Sequence, residues 1–176
     1  MSTTALLLSF LYAIGMTSGT PSTVTELNVD NYLGRWYQVY GSPTNVIFQG
    51  YGKCITADYG LLPNGNVSVL NSQVNLSDEL EQITGYAYYK DTSQPGKLTV
   101  HLDGTPVNSP YWVVKLGDVY DNEYQYSIVT TPSGLSLWVL ARDIETFYQV
   151  YYDEVLDFLD DNNFIYAPIN QDNCSY

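Results

Sequence analysis

Between Trp36 and Arg142 the chain is a succession of short alternating runs, each cut by a turn signal. Tyr37-Gln38-Val39-Tyr40 stops at Gly41-Ser42-Pro43. Cys54 to Leu61 stops at Pro63-Asn64-Gly65, and Asn66 to Gln73 follows directly, the signature of a hairpin. Gln82 to Tyr89, Lys97 to Leu102, Tyr111 to Leu116, Gln125 to Val129 and Leu135 to Ala141 complete the series. Turns recur at intervals of roughly 8 to 15 residues with no helical repeat between them. Eight such strands in one domain can form only an antiparallel sandwich or barrel. The period changes after Arg142, where Phe147, Tyr151, Val155 and Phe158 or Leu159 recur at helical spacing opposite Glu145, Asp153, Glu154, Asp157 and Asp160. A helix with one apolar stripe has to lie against another layer, here the outside of the sheet.

Strand alternation assigns each side chain a face. In the second strand Ile55, Ala57 and Tyr59 share one face and Cys54, Thr56 and Asp58 the other; the charged face is the outer one, so Cys54 is expected outside. The third strand turns Val67, Val69 and Asn71 inward and Asn66 outward. Val100 and Leu102 point inward from the fifth strand, and Ser136, Trp138 and Leu140 from the eighth. Such an interior is mostly apolar with few directional groups, the character of a pocket for a small hydrophobic molecule. Small residues at Ala57, Gly85 and Ala87 are expected to leave room in it. The 18 tyrosines suit strands and supply an apolar ring with a polar tip, inside or outside the sheet.

The charge balance excludes some partners. Nineteen acidic residues against 6 Lys and Arg give a net charge of -13, which repels nucleic acid and anionic lipid surfaces. Residues 1–19 read as a signal peptide, with an apolar run from Ala5 to Met16 too short to span a bilayer and small residues after it. Residues 20–176 then form one domain, expected to be secreted. Cys54 and Cys174 are too far apart for a metal motif; in an oxidising compartment a single bridge is the simplest outcome, and two free buried thiols are the alternative. Asn66-Val67-Ser68, Asn75-Leu76-Ser77 and Asn173-Cys174-Ser175 are glycosylation sequons of the same compartment, so Asn66, Asn75 and Asn173 are candidate glycan sites.

Gly34-Arg35-Trp36-Tyr37 at the first strand, with Leu137-Trp138-Val139-Leu140-Ala141-Arg142 at the last, resembles the paired signature of the lipocalins. Gly52-Lys53-Cys54-Ile55-Thr56-Ala57-Asp58-Tyr59, Ile83-Thr84-Gly85-Tyr86-Ala87, Pro95-Gly96-Lys97-Leu98 and Pro110-Tyr111-Trp112-Val113 extend the likeness, which runs to the apolipoprotein D branch and to bacterial outer-membrane members. The resemblance implies an eight-stranded antiparallel up-and-down barrel with one C-terminal helix outside it. It implies that Trp36 plugs the closed end while Arg142 stacks on it and bonds to backbone carbonyls, both in structural roles. It also implies a bridge from Cys54 to Cys174. The family's ligand-pocket residues fall on Tyr59, Asn71, Leu102, Tyr111 and Trp138, with Tyr40, Ala57, Val69 and Val100 on the same walls. Two departures stand out: Gly117-Asp118-Val119-Tyr120 replaces the middle motif, and a plain Pro132-Ser133-Gly134 turn replaces an apolar loop.

The expected function is extracellular binding and transport of a lipid, fatty acid, sterol, retinoid or bilin, with no cofactor and no metal, by a monomer or weak homodimer. Val46-Ile47-Phe48 near the barrel mouth allows at most a weak membrane contact. A pigment-binding chromoprotein is the main alternative. An isomerase-type enzyme would need a thiol in the pocket, and Cys54 is placed on the other face. A third reading is an interaction module with a filled barrel, whose loops bind a protein partner; the small residues at Gly85 and Ala87 weigh against it.

Overall fold

The structure, a computed structural model, describes residues 19–175; the signal-peptide expectation for residues 1–19 falls almost wholly outside them. Eight strands close into an antiparallel barrel: β1 (Gly34–Gly41), β2 (Gly52–Leu61), β3 (Val67–Asn75), β4 (Leu80–Tyr89), β5 (Lys97–Leu102), β6 (Ser109–Leu116), β9 (Tyr126–Thr130) and β10 (Leu137–Ala141). Each pairs with its neighbour in that order, and β10 returns to pair with β1. Between β6 and β9 the divergent middle segment forms a small hairpin of β7 (Val119–Tyr120) and β8 (Glu123–Tyr124). A one-turn helix, α1 (Val29–Tyr32), capped by Asn28 accepting from the Asp30 amide, leads into β1.

Two apolar layers result. Inside the barrel lie Trp36, Ala57, Val67, Val69, Ala87, Leu98, Val113, Val129 and Leu140, joined by Tyr32 from α1. Outside it, Val39, Ile128, Leu137 and Val139 face the C-terminal helix through Phe147, Val155 and Leu159, all of them nearly or completely buried. That helix consists of α3 (Ile144–Thr146), a π-helical stretch (Phe147–Tyr151) and α4 (Tyr152–Asp161). Asp143 caps its start by accepting from the Thr146 amide, which holds the Asp143 carboxyl below the usual range. Glu154 ties the helix to the barrel, accepting from Lys115 on β6 at 2.7 Å and from the Tyr126 hydroxyl at 2.8 Å.

The seam between β1 and β2 is incomplete. These strands pair only from Gly34 to Tyr37 and then part toward the mouth. The tail fills the gap. Strand β11 (Ala167–Pro168) pairs with Tyr40 and Gly41, the Cys54 amide donates to the Asn170 carbonyl, and the Gln171 amide donates to the carbonyls of both Gln38 and Ile55. The Cys54–Cys174 disulfide, with Cα atoms 5.5 Å apart, fastens this insert. Cys54 sits at an irregularity of β2 with a positive φ of 55°, so it is buried against the tail and the alternation on which its outward placement was based is interrupted there.

Candidate ligand-binding site

The barrel has a closed end and a mouth, and the signature residues build the closed end. Trp36 is fully buried, and its indole N–H donates to the Tyr32 carbonyl at 2.9 Å. The Arg142 guanidinium lies 3.8 Å from the centre of the Trp36 ring. It donates to the carbonyls of Asn31, Leu33, Arg35 and Tyr124, at 2.6 to 3.2 Å. Burial lowers the pKa of Arg142 from its ordinary value, and Glu123 partly offsets this. A cation over an indole, with its fork saturated by carbonyls, is a plug and a clasp.

On this floor stands a group of tyrosines. Tyr32 stacks on Tyr59 at 5.8 Å, and Tyr59 meets Tyr111 edge-on at 6.4 Å. Their hydroxyls form a chain: Ser127 to Tyr32 at 2.7 Å, Tyr32 to Tyr111 at 2.8 Å, and Tyr111 to Tyr59 at 3.2 Å. Burial pushes Tyr59 up to about 12 and raises Tyr32 and Tyr111 above the ordinary tyrosine value, so all three remain neutral.

Cross-strand register places the expected pocket residues. Ala57 opposes Asn71, Tyr59 opposes Val69, Ala87 opposes Val100, and Leu98 opposes Tyr111, all on the inner face. Leu102 and Trp138 lie on the same face, so eight of the nine expected pocket residues converge on the interior. Ala57 and Val69 are buried, whereas Tyr59, Asn71, Val100, Leu102, Tyr111 and Trp138 keep part of their surface accessible. Inward residues of a closed barrel keep accessible surface where no side chain packs against them, in an unfilled stretch of the interior or at the mouth. Among the described residues the Asn71 amide takes no partner, leaving a polar handle on an otherwise apolar wall.

Tyr40 is the exception. Simple alternation from Trp36 sends it inward, but β1 carries a bulge at Val39: Gln38 opposes Leu140 and Tyr40 opposes Val139, two residues after which only one partner has passed. The extra residue turns Val39 and Tyr40 to the same side. Tyr40 therefore lies in the outer layer against Phe147 and Tyr166, and does not line the cavity. Gly85 also differs from its expected role. A Cβ there would collide with the His101 carbonyl of β5, so glycine serves a close strand approach and not an enlarged lumen.

Three groups were not legible in the sequence. Tyr32 precedes the first strand in a single helical turn too short to leave a periodic signal. Ser127 is an ordinary strand serine until the chain of hydroxyls is seen. At the mouth, the loop helix α2 (Val46–Gln49) turns Gln49 over the opening: its amide donates to Gln38 Oε1 at 3.1 Å, its Oε1 accepts from the Trp138 indole at 3.2 Å, and its carbonyl accepts from Gln73 at 2.8 Å. Ile47 beside it is 75% exposed; the Phe48 side chain lies outside the described atoms. Two open crevices beside the C-terminal helix, one bounded by Thr20, Val114 and Phe164 and one by Thr25, Leu116 and Glu154, are not part of the interior.

Residues 27–163 match the model of the lipocalin-like domain. The chain belongs to the lipocalin family. It is 35% identical to apolipoprotein D of Oryctolagus cuniculus over 128 residues, which cover 70% of this chain and 65% of that protein. This lipocalin thus spans a little under two thirds of the length of that relative. Among solved structures it resembles lobster apocrustacyanin A1, with a TM-score of 0.62 at 14% identity over 88% of this chain and 92% of the other. It also resembles the cockroach allergen Per a 4, with a TM-score of 0.60 at 21% identity over 86% and 94%. These likenesses support the closed barrel and its outer helix.

His101, the sole histidine, is on the outer face, its Nδ1 2.8 Å from Asn108 Oδ1 and its ring 5.1 Å from Tyr86. Both cysteines are joined in the bridge. Among the described residues no cluster of His, Cys, Asp and Glu could hold a metal ion, and no helix is long and apolar enough to cross a membrane.

Proposed function

We propose that this lipocalin is an extracellular carrier that holds a small apolar molecule inside its barrel, a lipid, fatty acid, sterol, retinoid or bilin. The observation that carries this reading is the partial accessibility of Tyr59, Val100, Leu102, Tyr111 and Trp138, which all face inward in a closed barrel. Burying an apolar guest against such a wall is worth about 25 cal/mol per Å² of apolar surface removed from water. A molecule of modest size then binds firmly without charge pairing. The disulfide, the apolar leader expected at residues 1–19 and the sequons at Asn66, Asn75 and Asn173 support an oxidising, extracellular setting. Catalysis by a thiol or a histidine finds little support, because His101 faces away from the interior and Cys54 is covalently occupied.

The deciding experiment is extraction of the protein secreted from its own cells, with mass spectrometry of the organic phase. A stoichiometric apolar molecule that requenches tryptophan fluorescence when added back to stripped protein supports the carrier reading. An empty extract, together with unchanged emission across fatty acids, retinoids, sterols and biliverdin, overturns it. An absorption band in the visible from the same material would identify the guest as a pigment.

A further inference from the structure

Proton counting on the floor of the barrel gives the pocket a polarity. Four hydroxyls in a line, Ser127, Tyr32, Tyr111 and Tyr59, carry four protons but share only three hydrogen bonds. One proton is therefore left without an acceptor in the chain. Which hydroxyl keeps it is decided by burial, since an unmet donor is costly where neither water nor a guest can reach it. Ser127 is completely buried and Tyr32 is 7% exposed. The spare proton falls instead to the accessible end, where Tyr59 has one hydroxyl neighbour and Tyr111 has two. The chain then runs in one direction, Ser127 donating to Tyr32, Tyr32 to Tyr111 and Tyr111 to Tyr59. Hydroxyls aligned in this way polarise one another and strengthen the terminal donor.

We propose that the Tyr59 hydroxyl, at the end of this chain, is a hydrogen-bond donor site at the inner end of the lumen for an apolar molecule carrying a neutral oxygen acceptor, a carbonyl in particular. The proposal rests on the carrier reading above and adds the orientation of the guest: acceptor oxygen downward against Tyr59, hydrocarbon toward Leu102 and Trp138. A carboxylate fits less well. The nearest buried cation, Arg142, has its guanidinium committed to four backbone carbonyls beneath Trp36. An anion at Tyr59 would thus be buried without a direct ion pair, with only the through-space attraction of Arg142 to offset its desolvation, in a protein whose net charge is already -13.

The test uses three matched probes on the intact disulfide-bonded protein: 2-tridecanone, tridecane and dodecanoate. The ketone is expected to bind about five- to tenfold more tightly than the alkane, the worth of one net hydrogen bond, and more tightly than dodecanoate at neutral pH. Its carbonyl stretch should move to lower frequency on binding. Tyr59→Phe alone passes the spare proton to Tyr111 and should lose only part of this preference. Tyr59→Phe with Tyr111→Phe removes the accessible end of the chain, and should bring ketone affinity to or below that of the alkane, because the carbonyl is then buried without a donor, with alkane affinity unchanged. Equal affinities of the wild-type protein for ketone and alkane, tighter binding of dodecanoate, or a carbonyl stretch on the wild-type complex at its value in hydrocarbon solvent would each overturn the proposal. The last measurement needs no variant. Failure of all three probes to bind would instead overturn the carrier reading.

Discussion

Arg142 covers Trp36 face-on, its guanidinium carbon 3.8 Å from the ring centre, while the same fork takes four backbone carbonyls from α1, the start of β1 and β8. One side chain thereby closes the barrel floor, fastens the turn that carries Tyr32, and joins residues more than a hundred positions apart. Arg142→Ala would leave those carbonyls, three of them partly buried, without their donors and the indole uncovered. Hydrogen bonds to a charged group are worth about 1.5–3 kcal/mol each, and several are lost together. The expected loss is about 3 kcal/mol or more of unfolding free energy by urea titration. Arg142→Lys should recover less than half of it, since an ammonium cannot both stack and fork.

Reduction of Cys54–Cys174 should be felt twice. The bridge closes a sequence separation of 120 residues, and opening it costs about 2–4 kcal/mol in stability. At roughly 2–4 °C per kcal/mol for a domain of this size, calorimetry should show a melting temperature lower by about 5–15 °C. Because the bridge also anchors the tail that fills the upper β1–β2 seam, Cys54→Ser with Cys174→Ser should speed release of any bound molecule. A lower melting temperature with unchanged release would mean that β11 holds the seam without its covalent anchor.

Turn chemistry and two motifs made most of the barrel legible in advance. Pro63-Asn64-Gly65 and Pro132-Ser133-Gly134 mark chain reversals in which the glycine takes a positive φ, Gly41-Ser42-Pro43 marks the end of β1, and Trp36 with Arg142 marks the closed end. Alternation put Ala57, Tyr59, Val69, Asn71, Val100, Leu102 and Trp138 on the inner face, and the family pattern added Tyr111, which lies there too, and Tyr40. It failed at Tyr40 because a bulge is a local choice between two pairings, set by how β1 bends between its neighbours, and Val39 bears no mark of it. The tail insertion and the Gln49 contacts escaped for another reason. Both are long-range pairings of irregular segments, whose partners are fixed by the closed barrel and by nothing in their own spacing.

The position of Tyr40 separates stability from binding. Its ring packs between Phe147 and Tyr166 in the outer layer, so Tyr40→Ala should cost about 3 kcal/mol in stability, in the range for deleting a large buried aromatic. Ligand affinity measured well below the melting temperature should stay within twofold of wild type. Trp138→Ala should do the reverse, weakening binding several-fold with a smaller effect on stability. A Tyr40→Ala protein that folds normally but loses its ligand would return Tyr40 to the cavity wall.

Alkaline pH should loosen the floor. Tyr59 titrates at about 12 in the folded protein, against 10.0 when unfolded, and Tyr32 and Tyr111 are raised as well, all chiefly by burial. The folded state keeps its protons longer than the unfolded state does. Stability from these groups is complete below about pH 10 and is lost as pH climbs toward 12 and beyond. Tyr59 alone accounts for about 2–3 kcal/mol over that window. Urea midpoints at rising pH should fall above pH 10, in step with tyrosinate absorbance. In Tyr59→Phe with Tyr111→Phe the fall should be shallower, and an equal fall would assign alkaline unfolding to other tyrosines.

At the mouth, Gln49 is held by Gln38, Gln73 and Trp138, yet this arrangement leaves Gln38 Nε2 and Gln73 Oε1 buried without partners among the described residues. An unmet buried polar atom costs about 1–3 kcal/mol, so the closed mouth gives back part of what its three hydrogen bonds supply. Opening of so balanced a contact is the expected entry step for a guest past Trp138. Gln49→Ala removes two of the three bonds and keeps the backbone carbonyl that accepts from Gln73. Association and dissociation of a fluorescent fatty-acid probe, followed by stopped flow, should both become several-fold faster while the equilibrium affinity changes little. Unchanged rates would show that molecules pass by another route, and a lost affinity without a change in association rate would make Gln49 part of the binding wall.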